Sequence, residues 1–439
     1  MNNSQTSFEF FRPIDEIAKT IIQSLEEISD QKVREYRRQI LSAYESAKEI
    51  NPKSRDWKKI LTTELNPSIK AAGVPQFSEF DSEIFPGGSD QFAGVAELEE
   101  GHVKFWVRKN LKTKGVRLCN VDYAISQSLI KPDLLPRQPH NGHEDRFSLL
   151  SRGASKHSTC LMIPENLNIE KPFLIKITTN QFPVFFPVFI LVKLGNSSRI
   201  KIILELNSGK KNREVSVLPF SIITLLADAA ELDIIEIQDL GDKVLYFPNQ
   251  DFRIGSDASL NQVIIDRGSE IVRRVVSVNL DEAGAKANVT GVYLPTKTQK
   301  FIYDTRQNHM ASNTTSDLLF KGVLDSSAYS LWKGNVYVAG GTAGADGYQM
   351  NNNLLLKSSA HAESIPGLEI VADDVRCSHG VTLSNVDQDQ LFYLESRGIK
   401  NTDGTRLIVD GFIKSGLQRI RAADIKEYAR NNLRLIDEF

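Results

Sequence analysis

Small residues recur every 17 positions in the second half of this 439-residue chain, and that spacing constrains the fold more than any other feature. Set in rows of 17 beginning at Ala311, the sequence opens its later rows at Ala328, Ala345, Ala362 and His379. A triplet ends on each of these positions: Ser326-Ser327-Ala328, Ala343-Gly344-Ala345, Ala360-His361-Ala362 and Cys377-Ser378-His379. A second column holds Phe320, Tyr337, Leu354 and Val371. Residues two apart on a strand share a face. One parity carries Phe320, Gly322 and Leu324, then Tyr337, Ala339 and Gly341, then Leu354, Leu356 and Ser358, all apolar or small. The opposite parity carries Lys321, Asp325, Lys357 and His361. A short repeat with one apolar and one polar face predicts a β-solenoid. Each row is then one coil, stacked about 4.8 Å from the last, with small residues at the tight corners.

The flanks read differently. Ile14, Ile17, Ile21, Leu25 and Ile28 fall on one helical face, so 13–50 predicts a solvated helical hairpin, with a second helix near 56–65. Pro75, Pro86 and the Gly87-Gly88 pair mark a change of structure. From residue 101 short runs such as HVKFWV, PVFILVKL and EIVRRVVSVNL are strand chemistry, with few helical signals between them. The segment 131–143, with three prolines, predicts an extended loop. Helices return after 386, where Asp387 or Asp389 is placed to cap and Gly398 to stop the first of them. Ile408, Phe412, Ile413, Leu417 and Ile420 then form a stripe that either packs on the strand body or docks a partner. The division is an N-terminal helical region and linker over 1–100, a solenoid core over 101–386 and a C-terminal helical region over 387–439.

Composition excludes several function classes. Basic and acidic residues number 53 and 55, so the overall balance gives no electrostatic footprint for nucleic acid, though it leaves room for a local basic patch. The most apolar run, 182–192, is 11 residues long and holds Pro183 and Pro187, too short to span a membrane. The first residues lack a secretory pattern, and a cytoplasmic location is expected. Three scattered cysteines, Cys119, Cys160 and Cys377, exclude a disulfide framework and a closed four-cysteine metal site. No phosphate-loop signature of the form G-x-x-x-x-G-K-[ST] occurs, so the chain is not expected to hydrolyse ATP. The glycines of 340–347 read as turn residues.

The fourth row breaks the small-residue pattern. Its inward parity reads Val371, Asp373, Val375, Cys377 and His379. If the chain is extended there, Cys377 and His379 share a face, and a thiolate beside an imidazole suits iron or zinc. A buried free cysteine beside a hydrogen-bonded histidine explains the same residues. His309 sits in the Cys377 column four rows earlier, as either a functional or an end-coil residue. His140, His143 and Glu144 offer metal-binding chemistry or a polar loop.

The stretch 303–412, with LFKGVLDSSAYSLWKGNVYV, LEIVADDVRCSHG and LFYLESRGI, resembles the SufB/SufD family of the SUF iron–sulfur cluster assembly system. The resemblance thins back to about residue 150. It implies a mainly β protein: a right-handed parallel β-helix core with helical flanks. It also implies a scaffold without catalytic residues, which pairs with a SufB-like subunit and docks the ABC ATPase SufC through its C-terminal helices. The transient iron–sulfur cluster is then shared at the subunit interface, and none is held stably by this chain alone. Cys377-Ser378-His379 match the Cys-Ser-His that follows ADDV in SufD-like members, whereas Leu394 stands where SufB-like members carry a cysteine. His379 thus inherits the role of cluster ligand and Cys377 that of a neighbouring thiol. Two other readings are a homodimer serving with SufC alone and a β-helix enzyme acting on carbohydrate. The latter needs paired carboxylates, and Asp373 and Asp374, as strand neighbours, would point to opposite faces.

Overall fold

Strands of ten residues separated by short turns make up the C-terminal half of the body: Lys300–His309, Thr315–Leu324, Tyr329–Val338, Asp346–Leu355, His361–Ile370 and Arg376–Asn385. The computed structural model describes residues 3–47, 51, 53–61, 65, 69–79, 91–131, 145–180, 183–208 and 214–432. Among these the strands form two sheets of 11 each, and from Val188–Leu194 onward successive strands alternate between the two. Within each sheet of the solenoid the pairing is parallel: Thr315 stands opposite Asp346, and Asp346 opposite Arg376. The fold is therefore a parallel β-solenoid with helices at both ends of the chain.

One turn of the solenoid is two strands, not one. The ladder partners Thr315 and Asp346 lie 31 residues apart, and Asp346 and Arg376 lie 30 apart. Each 17-residue row of the sequence is thus about half a coil, which corrects the assignment of one coil per row. The column through it slips as well. Phe320 points into the core, but Leu354 belongs to the cluster on the outer face of its sheet. Tyr337 is only half-buried between the fully buried Val336 and Val338. The slip arises because the turns differ in length, while strand parity is strict.

The repeat that does match the coil lies in the corners. Ser197, Ala229, Asp257, Gly284, Asn313, Gly344 and Asp374 all have φ between 53° and 74°. Each N–H but the last donates to a carbonyl of the next coil, for example Asn313 to Ala343 and Gly344 to Asp374. This column turns the chain through a left-handed residue once per coil, where Gly, Asn and Asp are least strained. Asp373 and Asp374 sit in the turn before the final strand rather than on a strand.

The interior is mostly Ile, Val, Leu and Phe, including Phe320, Leu324 and Trp332. One buried ionic group interrupts it. The Arg274 guanidinium donates to both Glu236 oxygens at 2.7 and 3.0 Å and to both Asp266 oxygens at 2.6 and 3.0 Å. Tyr246 donates to Glu236 at 2.9 Å and Tyr303 to Asp266 at 3.1 Å. All three charged side chains are fully buried, so their partners replace the lost water.

The helices Asn3–Ser24, Gln31–Ser46, Arg55–Ile60, Val121–Ser126 and Arg146–Ala154 cover the outer face of one sheet. Helices within 109–154 were not legible in the sequence; they are short, and Asn120 and Asp145 cap two of them. Phe147 stacks on Phe247 of the sheet at 3.7 Å, and the Arg273 guanidinium lies 4.6 Å from the Trp57 ring centre. Asn401–Leu417 and Ala423–Asn432 cover the other sheet, with Val409, Ile413 and Ile420 packed against Val292, Val323 and Leu354. That assigns the buried part of the apolar stripe to packing on the strand body. His140, His143, Glu144, Gly87, Gly88 and all but the first residue of the 131–143 loop lie outside the described residues.

Candidate metal site at the open end of the solenoid

His361–Ile370 and Arg376–Asn385 are the edge strands of the two sheets. The register fixes which side chains of the last strand face inward. On the preceding coil Gly347, Gln349, Asn351 and Asn353 are buried, and they stand opposite Cys377, His379, Val381 and Leu383. Cys377 and His379 therefore share the inward face, about 7 Å apart along the strand. Among the described residues no further coil covers them. His379 is exposed, as are Val381 (41%) and Leu383 (56%). Ile365, Leu368, Ile370 and Val371 extend the same apolar end.

Cys377 is half-buried and packs beside Val336, Val338 and Ala345. Burial raises its thiol pKa, and Asp346 pushes the same way against a hydrogen bond from the Gly347 backbone. The sulfur is thus a protonated thiol in the isolated chain, and a metal ion must displace that proton to bind it.

His309 is not an end-coil residue. It lies two coils inside the terminal edge of its sheet, with Val338 of the intervening strand as its ladder partner, and it is fully buried. Its two ring nitrogens hydrogen-bond the Thr314 and Ser316 hydroxyls, both at 2.8 Å. Burial pushes its pKa down to about 4, so it is a neutral, fully partnered imidazole. A Cβ on Gly347 would lie 3.2 Å from His309 Nε2 and 3.4 Å from the Cys377 sulfur. The glycine is the gap across which these two groups approach. Among the described residues, no three His, Cys, Asp or Glu side chains gather to hold a metal ion. Cys377 and His379 offer one sulfur and one nitrogen, a donor pair that fits iron but leaves a four-ligand site half made.

The exposed apolar frame around the pair was missed in the sequence: Val381 and Leu383 continue the inward parity of Cys377 and His379, but parity alone does not show that the stack of coils ends there. A second exposed group lies on the C-terminal helices. Asp387 caps Gln388–Ser396 by accepting from the Asp389 and Gln390 N–H groups. Leu394 lies close enough to Gly404 of the next helix that a Cβ there would be 3.4 Å away. Leu394, Tyr393, Gln390 and Ile408 line a shallow cleft, flanked by exposed Phe392 (71%) and Leu407 (53%). No helix among the described residues is long and apolar enough to cross a membrane.

Comparison with known proteins gives the family. Residues 177–412, more than half of the chain, match the family model described as "SUF system FeS cluster assembly, SufBD core domain". An iron-sulfur cluster assembly SufBD family protein of Mycobacterium tuberculosis is 32% identical over 208 residues, covering 46% of this chain and 52% of the relative. The iron-sulfur cluster assembly protein SufD of Escherichia coli is 30% identical over 184 residues, covering 42% and 43%. A SufBD family protein of Synechocystis is 26% identical over 293 residues, covering 64% of each chain. The chain thus spans about half the length of the first of these curated relatives. The matched segment contains most of the solenoid, its open end with Cys377 and His379, and the first helices beyond it; the chain belongs to the SufB/SufD family of the SUF iron–sulfur cluster assembly system.

Proposed function

We propose that this chain is a non-catalytic scaffold subunit of cytoplasmic iron–sulfur cluster assembly, and that its open solenoid end pairs with a SufB-like subunit. His379 and Cys377 then contribute ligands to a nascent cluster, the cargo of the complex, whose remaining ligands come from the partner. One observation carries this reading. The donor pair sits in the inward register of a coil that nothing in the described chain covers, framed by Val381, Leu383 and Ile370. Free strand edges and a contiguous apolar surface favour a covering chain. The helices Gln388–Ser396 and Asn401–Leu417 present Phe392, Tyr393 and Leu407 to solvent, and we assign that face to the SufC ATPase. ATP-driven movement would reach the cluster end through the solenoid, a rigid body of continuous parallel ladders.

The test is stoichiometry. Co-expression with SufB-like and SufC chains is expected to give a complex with one copy of this chain per SufB-like chain. A stable complex of two copies of this chain with SufC, unchanged when the SufB-like chain is present, would replace the heterodimer by a homodimer. Failure of both to form would overturn the scaffold reading.

A further inference from the structure

Cys119 and Cys160 are 41 positions apart in sequence, but the fold makes them direct partners. Arg117–Cys119 pairs antiparallel with His157–Ile163, and Cys119 stands opposite Cys160. Directly opposed antiparallel residues have Cα atoms about 4.5–5.5 Å apart and side chains on one face. That falls inside the separation a disulfide spans. Both are free cysteines, and Cys377 lies in a different cluster at the far end of the solenoid.

The two sulfurs are not equivalent. Cys119 is on an edge strand, half-buried, and lines a groove of about 470 Å³ with Lys112, Arg117 and Tyr123. Cys160 is fully buried beneath it. The neighbouring Cys160 thiol lowers the Cys119 pKa against the opposing effect of burial, and the Arg117 charge adds to the lowering. The same contact and burial push Cys160 well above the usual thiol range. A half-buried, groove-lining thiol on an edge strand, backed by a fully buried one directly opposite it, is the arrangement of an attacking and a resolving cysteine.

We propose that Cys119 and Cys160 form a reversible dithiol–disulfide pair that exchanges with low-molecular-weight disulfides through the groove beside Cys119. The Cys119 thiolate attacks one sulfur of the external disulfide. A mixed disulfide forms, the external S–S bond breaks, and the first thiol leaves with a proton. Cys160 then loses its proton and attacks the Cys119 sulfur, releasing the second thiol. Two protein thiols are oxidised, and one disulfide is reduced to two thiols. The bond would fasten the edge strand, and the Val121–Ser126 helix that follows it, to the start of the solenoid. Arg37 of the N-terminal hairpin meets this helix at Asp122, at 2.7 Å, so the state of the pair is felt where the N-terminal helices join the body. Transient, redox-sensing bonds are the usual disulfides of reducing compartments.

The test uses the full chain, reduced, then equilibrated with glutathione disulfide. Two of the three thiols are expected to disappear, with peptide mapping linking Cys119 to Cys160 and reductant restoring both. Iodoacetamide is expected to label Cys119 well before Cys160. Cys160→Ser should stop at a single glutathionyl adduct on Cys119, and Cys119→Ser should give neither link nor adduct at Cys160. Cys160→Ala repeats the trap if the serine variant misfolds. Three titratable thiols after oxidation, or a link that includes Cys377, would overturn the proposal. Neither result depends on the scaffold reading.

Discussion

His379 stands directly opposite Gln349 in the last parallel ladder. Gln349 is fully buried and donates to the Gly367 carbonyl at 2.9 Å, while His379 one coil on is open to solvent. The same register position is therefore a core position on one coil and a surface position on the next. What separates them is the end of the solenoid.

That end should behave as an interface. Leu383→Asp places a charge in the exposed apolar frame and alters no buried contact. Its urea unfolding midpoint should match that of the parent chain, since exposed substitutions usually shift stability by about 0.5 kcal/mol or less. Binding to the SufB-like subunit should weaken by at least tenfold, read by titration calorimetry, because a charge buried without a partner costs several kcal/mol. Unchanged affinity would move the interface elsewhere.

Gly347 is the second test. A Cβ there would meet Val336 Cγ1 at 3.0 Å, His309 Nε2 at 3.2 Å and the Cys377 sulfur at 3.4 Å. Gly347→Ala should lower unfolding free energy by about 1–2 kcal/mol, the cost of overpacking by one methyl group. It should also change the alkylation rate of Cys377, which the same methyl group displaces.

Much of this architecture was legible and some was not, for physical reasons. Strand chemistry and two-residue parity gave the solenoid, and the same parity put Cys377 and His379 together. The 17-residue spacing failed because turn length varies from coil to coil. Between Val338 and Asp346 the turn runs over seven residues, against four between Leu324 and Tyr329. The coil-length repeat of Ser197, Ala229, Asp257, Gly284, Asn313, Gly344 and Asp374 was in the sequence, but its members share a backbone conformation rather than a side chain. The pairing of Cys119 with Cys160 was hidden because an antiparallel register leaves no periodic trace.

Arg274 gives a stability prediction that the sequence did not suggest. Arg274→Met leaves Glu236 and Asp266 facing each other in the core without a cation. The loss should be about 3–5 kcal/mol, as for other broken buried ion pairs. Adding Glu236→Gln and Asp266→Asn to that variant should recover much of it, because the uncompensated charge is then gone. Denaturant midpoints of the three chains check the order.

Stability should also fall in mild acid. Burial pushes both His157 and His309 down to about 4, below the ordinary histidine value of 6.5. Between those values the unfolded chain binds protons that the folded chain does not, so stability is full above about pH 6.5 and declines as pH falls toward 4. At pH 5 each histidine should account for about 2 kcal/mol of loss. His309→Gln is expected to flatten the pH dependence of the urea midpoint by its share.

The most direct measurement is cluster formation by the reconstituted complex of this chain with SufB-like and SufC chains, comparing the parent with His379→Ala. Iron and sulfide content and the visible cluster absorption are read on complexes whose assembly is first confirmed by size. The account predicts that the variant assembles fully and forms cluster to a small fraction of the parent level. An assembled variant that matures clusters at the parent level would contradict it.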